Sequence, residues 1–183
     1  MTEHRCKWCI GDELMQAYHD HEWGFPVRVD DRRQFEFLVL ESAQAGLSWR
    51  TILYKRNGYR NAYEDFDAEK VSMFGKQEFK MLVSNPEIVR NSRKIEASIT
   101  NARAFIIVQK QFGSFCAYLW RFVGGRSVVG NWNAEGEIPS ATELSRRISL
   151  DLKTRGFDFL GPTIVYSHLQ AVGIVNDHVA SCF

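Results

Sequence analysis

Residues 30–46 read DDRRQFEFLVLESAQAG, and the spacing of the apolar side chains in this stretch decides the fold class. Phe35, Leu38, Val39 and Ser42 recur at i, i+3, i+4 and i+7, the period of one face of an α-helix. Asp30 and Asp31 precede them and place negative charge at the positive pole of the helix, while Gly46 stops it. The spacing predicts a helix over about residues 31–45. Glu41 falls near its C-terminal end, the wrong pole for a carboxylate. A residue so placed either points to solvent or is held for a function.

The helical period continues on both sides. Ile95, Ile99, Ala102, Phe105 and Ile106 mark a second stripe, and Phe115, Leu119 and Phe122 a third that ends at Gly124-Gly125. Ser140 followed by Glu143 has the spacing of a capping box and opens a helix to Arg155, before Gly156. Gly161-Pro162 places proline in a first turn, where a helix accepts it, and residues 164–172 carry that helix to Gly173. Only residues 127–129 read as a strand, and the Gly- and Asn-rich stretch 124–136 reads as an exposed loop. No repeat, low-complexity tract or long linker interrupts the pattern. The expected fold is all-α, a single domain over residues 1–183.

The composition agrees. A globule of 183 residues, 45% hydrophobic and 25% charged, buries roughly 70% of its unfolded surface. That excludes a disordered tail, a fibre and a disulfide miniprotein. The N-terminus has no apolar signal core and no run approaches the ~18 apolar residues of a membrane span. A cytoplasmic, reducing setting without membrane attachment is therefore expected. The formal charge of +1 is unevenly spread: residues 1–41 carry nine acids against five bases, while Arg50, Lys55, Arg56 and Arg60 stand among residues 42–63 without an acid. Residues 84–112 add Arg90, Arg93, Lys94, Arg103 and Lys110 against Glu87 and Glu96.

Two constellations carry chemistry. His178 and Cys182, at i and i+4, would share one face of a helical turn and could bind one ion. The N-terminal segment offers a second pair of zinc ligands: Cys6 with Cys9, or one cysteine with His19 or His21. Spacing does not choose between them. Such a zinc would have four protein ligands, so it would be structural and would staple the two ends together. The other constellation is Glu41 with Trp49 beyond the Gly46 turn, and Trp8, Tyr18 and Trp23 as further rings. A carboxylate among stacking rings suits a flat cationic heterocycle: the ring face attracts the cation and the carboxylate accepts its N–H bonds.

Several segments resemble, in order and over nearly the whole chain, the 3-methyladenine DNA glycosylase I family. They are Cys6-x-Trp8, Ala17-Tyr18-His19-Asp20-x-Glu22-Trp23-Gly24, Leu40-Glu41-x-x-Gln44-Ala45-Gly46-Leu47-Ser48-Trp49, Asn101-Ala102-Arg103-Ala104, Arg155-Gly156-Phe157 and Asn176-Asp177-His178. The resemblance implies a helix-hairpin-helix glycosylase that removes 3-methyladenine from alkylated double-stranded DNA, without lyase activity, and acts as a monomer. It places the ligands of one structural zinc ion on Cys6, His19, His178 and Cys182, leaving Cys9 and His21 as bystanders. It places base recognition on Glu41 and Tyr18, stacking on Trp49 and a pocket wall on Trp8, with Met15 where some relatives carry tyrosine. Gln44 and Leu47 match positions that approach the gap left by the extruded nucleotide.

The hairpin is expected near residues 84–98, its backbone N–H groups holding phosphates with Arg90, Arg93 and Lys94 nearby. The wider superfamily places a catalytic Asp after the hairpin, but no Asp occurs here between Asp67 and Asp151, which leaves Glu41 as the carboxylate that matters. N3-methylation makes adenine a cationic leaving group that needs no general acid. The expectation is that ionised Glu41 and the Trp49 face select the cation. A damage-binding module that frees no base and a zinc hydrolase are the rival classes.

Overall fold

The computed structural model describes residues 5–182. Helix α2, Asp31–Gln44, follows the predicted bounds closely, and Asp30 caps it by accepting the Arg33 amide at 3.0 Å. All residues from 34 to 43 are buried, polar Gln34, Glu36, Glu41 and Ser42 included. The helix is therefore central, covered on every side rather than along one stripe, and its polar groups need internal partners. Gln34 donates to the Val27 carbonyl and faces His168, whose ring nitrogen lies 2.9 Å away.

Helix α1, Glu13–His21, precedes α2, and α3, Trp49–Ala62, follows the turn at Gly46, where φ is +78°. A partly buried ion-pair network ties these three helices together. Arg56 reaches Glu36 at 2.8 Å and Glu22 at 2.9 Å, and Arg33 takes the other Glu22 oxygen at 2.5 Å. Beyond α3 come the short α4, Ala68–Ser72, then α5, Lys76–Ser84, and the long α6, Ser92–Phe112. The connection 85–91 between α5 and α6 is docked on α3. Lys55 donates to the Pro86 carbonyl at 2.8 Å, the Val89 amide donates to the Tyr59 hydroxyl at 3.1 Å, and Gly58 lies so close that a Cβ there would sit 2.5 Å from the Glu87 carbonyl oxygen.

Helices α7, Phe115–Trp120, and α9, Pro162–Ala171, complete the shell around α2, and α8, Glu143–Thr154, packs on α9. One detail corrects the sequence reading: the cap of α8 is Thr142, which accepts the Ser145 amide, so the box begins two residues beyond Ser140. The strand expected at 127–129 is β1, Val128–Val129, set in the largely exposed stretch 124–136 and paired in parallel with β2, Val175–Asn176. Trp132 then donates to Asp177 at 2.7 Å and accepts the Ala180 amide at 2.8 Å, so the segment brackets the C-terminal residues.

Candidate active site

The cavity of about 510 Å³ between α1, the end of α2 and the start of α3 is lined by Trp8, Met15, Tyr18, Trp23, Glu41, Gln44 and Trp49. Its rings stand at contact distance: Trp49 lies 5.1 Å from Tyr18, and Trp8 lies 6.2 Å from Tyr18 and 5.2 Å from Trp23. Ser48 caps α3 through the Thr51 amide and so sets Trp49 as its first helical residue. Glu41 and Trp49 thus face one space because a tight turn separates the two helices that carry them.

Glu41 is 5% exposed, and among the described residues no group hydrogen-bonds its carboxyl. Burial pushes its pKa up from 4.5 to about 8. Burial thus favours the protonated carboxyl in the free pocket, against the expectation of an ionised Glu41. Ionising it at pH 7 costs only about 1.4 kcal/mol, one pKa unit, which a cation placed against it can offset. Burial likewise keeps the Tyr18 hydroxyl protonated, with the Glu41 charge a smaller contribution. The indole nitrogen of Trp49 is buried without a hydrogen-bond partner. Two polar groups free of protein partners, set between aromatic faces, can bind a flat ring and read its edge.

Sequence reasoning did not find Asp12, Arg50, Ser167 and Gln170, which also border the cavity. Asp12 is the N-cap of α1 and pairs with exposed Arg50 at 2.6 Å, joining the starts of α1 and α3 at the rim. Gln170 is held through Asp177 at 2.7 Å. The cap position of Asp12 was visible in sequence, but its place at the rim depends on long-range packing.

Beside the cavity, Cys6, His19, His178 and Cys182 bring one donor atom each within 4.8 Å of one another, a cluster that could hold a metal. Cys182 Sγ lies 3.2 Å from His178 Nδ1 and 3.4 Å from His19 Nε2. The outer nitrogens are oriented as metal-bound imidazoles require: His19 Nδ1 is 2.8 Å from Asp20, itself paired with Arg5, and His178 Nε2 is 3.1 Å from the Trp23 carbonyl. His178 and Cys182 meet through an irregular turn closed by the Cys182 amide on Val179, rather than through the helical turn expected. Cys9 instead donates to the Cys6 carbonyl, and His21 is exposed at the end of α1. Trp8 packs on His19 and Trp23 on His178, so the cluster backs one wall of the cavity.

Of the predicted DNA-facing residues, Arg90 is exposed, Gln44 is half-buried and Leu47 is 42% exposed on the turn beyond the pocket. Lys94, also expected to face DNA, is buried, and its ammonium donates to the carbonyls of Ala43 at 2.8 Å and Ala45 at 2.5 Å.

Fold and cavity together define a helical protein with a cavity lined by aromatic rings and one buried carboxyl. Comparison with known proteins narrows this. The family model for methyladenine glycosylase matches residues 8–183. DNA-3-methyladenine glycosylase 1 of Escherichia coli is 43% identical over 97% of this chain and 95% of its own. The structure of 3-methyladenine DNA glycosylase I from Staphylococcus aureus, described as the structural basis of 3-methyladenine recognition, is 36% identical with a TM-score of 0.93 and covers 97% and 94% of the two chains. A further 3-methyladenine DNA glycosylase I, in complex with 3-methyladenine, is 35% identical, with a TM-score of 0.93 over 97% and 95%. The chain belongs to the 3-methyladenine DNA glycosylase I family and is a glycosylase.

Proposed function

We propose that the protein is a DNA repair glycosylase that hydrolyses the N-glycosidic bond of 3-methyladenine in alkylated double-stranded DNA. The observation that carries this reading is the buried Glu41 carboxyl, without a protein partner, facing a cavity walled by Trp8, Tyr18 and Trp49. The extruded base stacks on Trp49 and hydrogen-bonds to Glu41 and Tyr18. Its positive charge draws Glu41 into the ionised form, because an opposite charge within a few ångströms reverses part of the desolvation penalty. Neutral adenine provides no such compensation and forfeits a cation–π attraction worth roughly 0.5–2 kcal/mol.

Leu47 and Gln44, on the turn between Glu41 and Trp49, enter the gap left by the extruded nucleotide, whose extraction costs a few kcal/mol. Exposed Arg90 lies in the 85–91 connection and exposed Arg93 just beyond it, and this connection serves as the DNA-binding hairpin and holds phosphates without reading sequence. A lyase step needs an amine at the anomeric carbon, and among the described residues no lysine lines the cavity, which supports a monofunctional enzyme. Cys6, His19, His178 and Cys182 would hold one structural zinc ion, which would tie the two ends of the chain together behind Trp8 and Trp23. The protein works as a monomer and a single domain in the cytoplasm.

Incubation with methylated duplex DNA, followed by chromatography of the released bases and a strand-nicking assay, tests the proposal. Release of 3-methyladenine without nicks is expected. Tight binding to methylated DNA with no freed base would identify a damage-binding module instead.

A further inference from the structure

Lysine is among the residues least often buried, and a desolvated ammonium persists only where its donors are matched. Lys94 is 9% exposed, and its ammonium donates to two carbonyls, those of Ala43 and Ala45. These belong to the C-terminal end of α2, where the last carbonyls lack intrahelical partners and the helix dipole favours a cation. Glu41 stands in that last turn, and Trp49 opens α3 after the Gly46 turn. The segment that the ammonium grips therefore sets the separation between the carboxyl and the indole that face the cavity, and carries Gln44 and Leu47 between them.

The backbone of Lys94 lies in the first turn of α6, directly after the α5–α6 connection. Its amide donates to Asn91, the N-cap of α6, at 3.2 Å, and the connection that ends there is docked on α3 through Lys55, Gly58 and Tyr59. One residue thus joins the hairpin that would face the phosphates to the turn that would face the extruded base. We propose that Lys94 is a positioning residue for base extrusion and excision, acting through the Ala43 and Ala45 carbonyls and touching neither phosphate nor base; this rests on the glycosylase reading above. A compact ammonium suits two carbonyls converging on one point. An arginine fork is planar and longer and presents its donors in a different geometry.

The test uses Lys94→Met and Lys94→Arg in the full chain, with affinity for undamaged duplex measured across a salt series and single-turnover release of 3-methyladenine at saturating protein. The expected result is duplex affinity within about twofold of wild type and an unchanged salt slope for both variants. Base release is expected to slow about tenfold or more, as small misplacements of a reacting group do, with no rescue in Lys94→Arg. A salt slope shallower by about 0.9 with release unchanged at saturation would mean a phosphate contact and overturn the proposal. A lowered melting temperature with unchanged release by the folded protein would also overturn it. If Lys94→Met does not fold, Lys94→Arg, which keeps the charge, carries the test, and release within twofold of wild type sinks the idea. If the wild type itself frees no base, the glycosylase reading fails. The fluorescence rise of 2-aminopurine on extrusion from duplex then decides Lys94 alone, a lost rise in Lys94→Met supporting the role and an equal rise overturning it.

Discussion

Replacing Glu41 by glutamine should make the free protein more stable, by an amount that grows with pH. The carboxyl titrates at about 8 in the folded chain against 4.5 when exposed. Between these values the unfolded chain gives up a proton that the folded chain keeps, so the contribution of Glu41 is fully present below pH 4.5 and is lost as pH rises through 8. The gap, at about 1.4 kcal/mol per unit, is roughly 5 kcal/mol once pH exceeds 8. Glutamine has the shape of the protonated acid and no charge to desolvate. Relative to wild type, Glu41→Gln should therefore gain almost nothing at pH 4, about 2 kcal/mol at pH 6 and about 4 kcal/mol at pH 8. Denaturant unfolding of both proteins at the three pH values reads this directly, provided the slopes with denaturant match. A gain that is the same at every pH, or none at pH 8, would show that Glu41 is not a desolvated acid, and the explanation of cation selectivity would go with it.

Two further perturbations probe the scaffold around the pocket. Gly58→Ala forces a methyl group to within 2.5 Å of the Glu87 carbonyl oxygen and should cost about 1–3 kcal/mol of stability, together with weaker duplex binding, as measured by thermal melting and a binding titration. Chelation of the metal, or Cys182→Ser, should lower the melting temperature and loosen the Trp8–Trp23 wall, weakening quenching of tryptophan fluorescence by free 3-methyladenine; metal analysis should find one zinc per chain in the wild type and in Cys9→Ala. Retention of the metal by Cys182→Ser would remove Cys182 from the ligand set.

Much of this was legible in sequence because it is local. The period of Phe35, Leu38 and Val39, the acids before them and the glycine after them suffice to place α2, and Pro162 after Gly161 suffices to start α9. Glu41 stood out because a carboxylate at the C-terminal pole of an apolar helix needs a reason. Non-local effects were hidden. Ser140 and Thr142 are both acceptable caps, and packing of the following helix decides between them. The burial of α2 on all sides comes from α3, α6, α7 and α9 closing around it, which no stripe on α2 itself encodes. The inward turn of Lys94 depends on the end of another helix some fifty residues away. The Cys–His cluster is intermediate: its residue types suggested a metal site, while the grouping of Cys6 and not Cys9 with the other three depends on where the first turn points each thiol.

The central claim is that the Glu41 carboxyl, desolvated among tryptophan and tyrosine rings, is what selects and helps to release the alkylated base. Single-turnover excision of 3-methyladenine from methylated duplex by wild type and Glu41→Gln, compared at saturating protein, tests it most directly. The account predicts that the variant folds, binds the duplex as wild type does, and releases the base at least about tenfold more slowly, the cost of about 1.4 kcal/mol of lost transition-state stabilisation. Release as fast as wild type would contradict it.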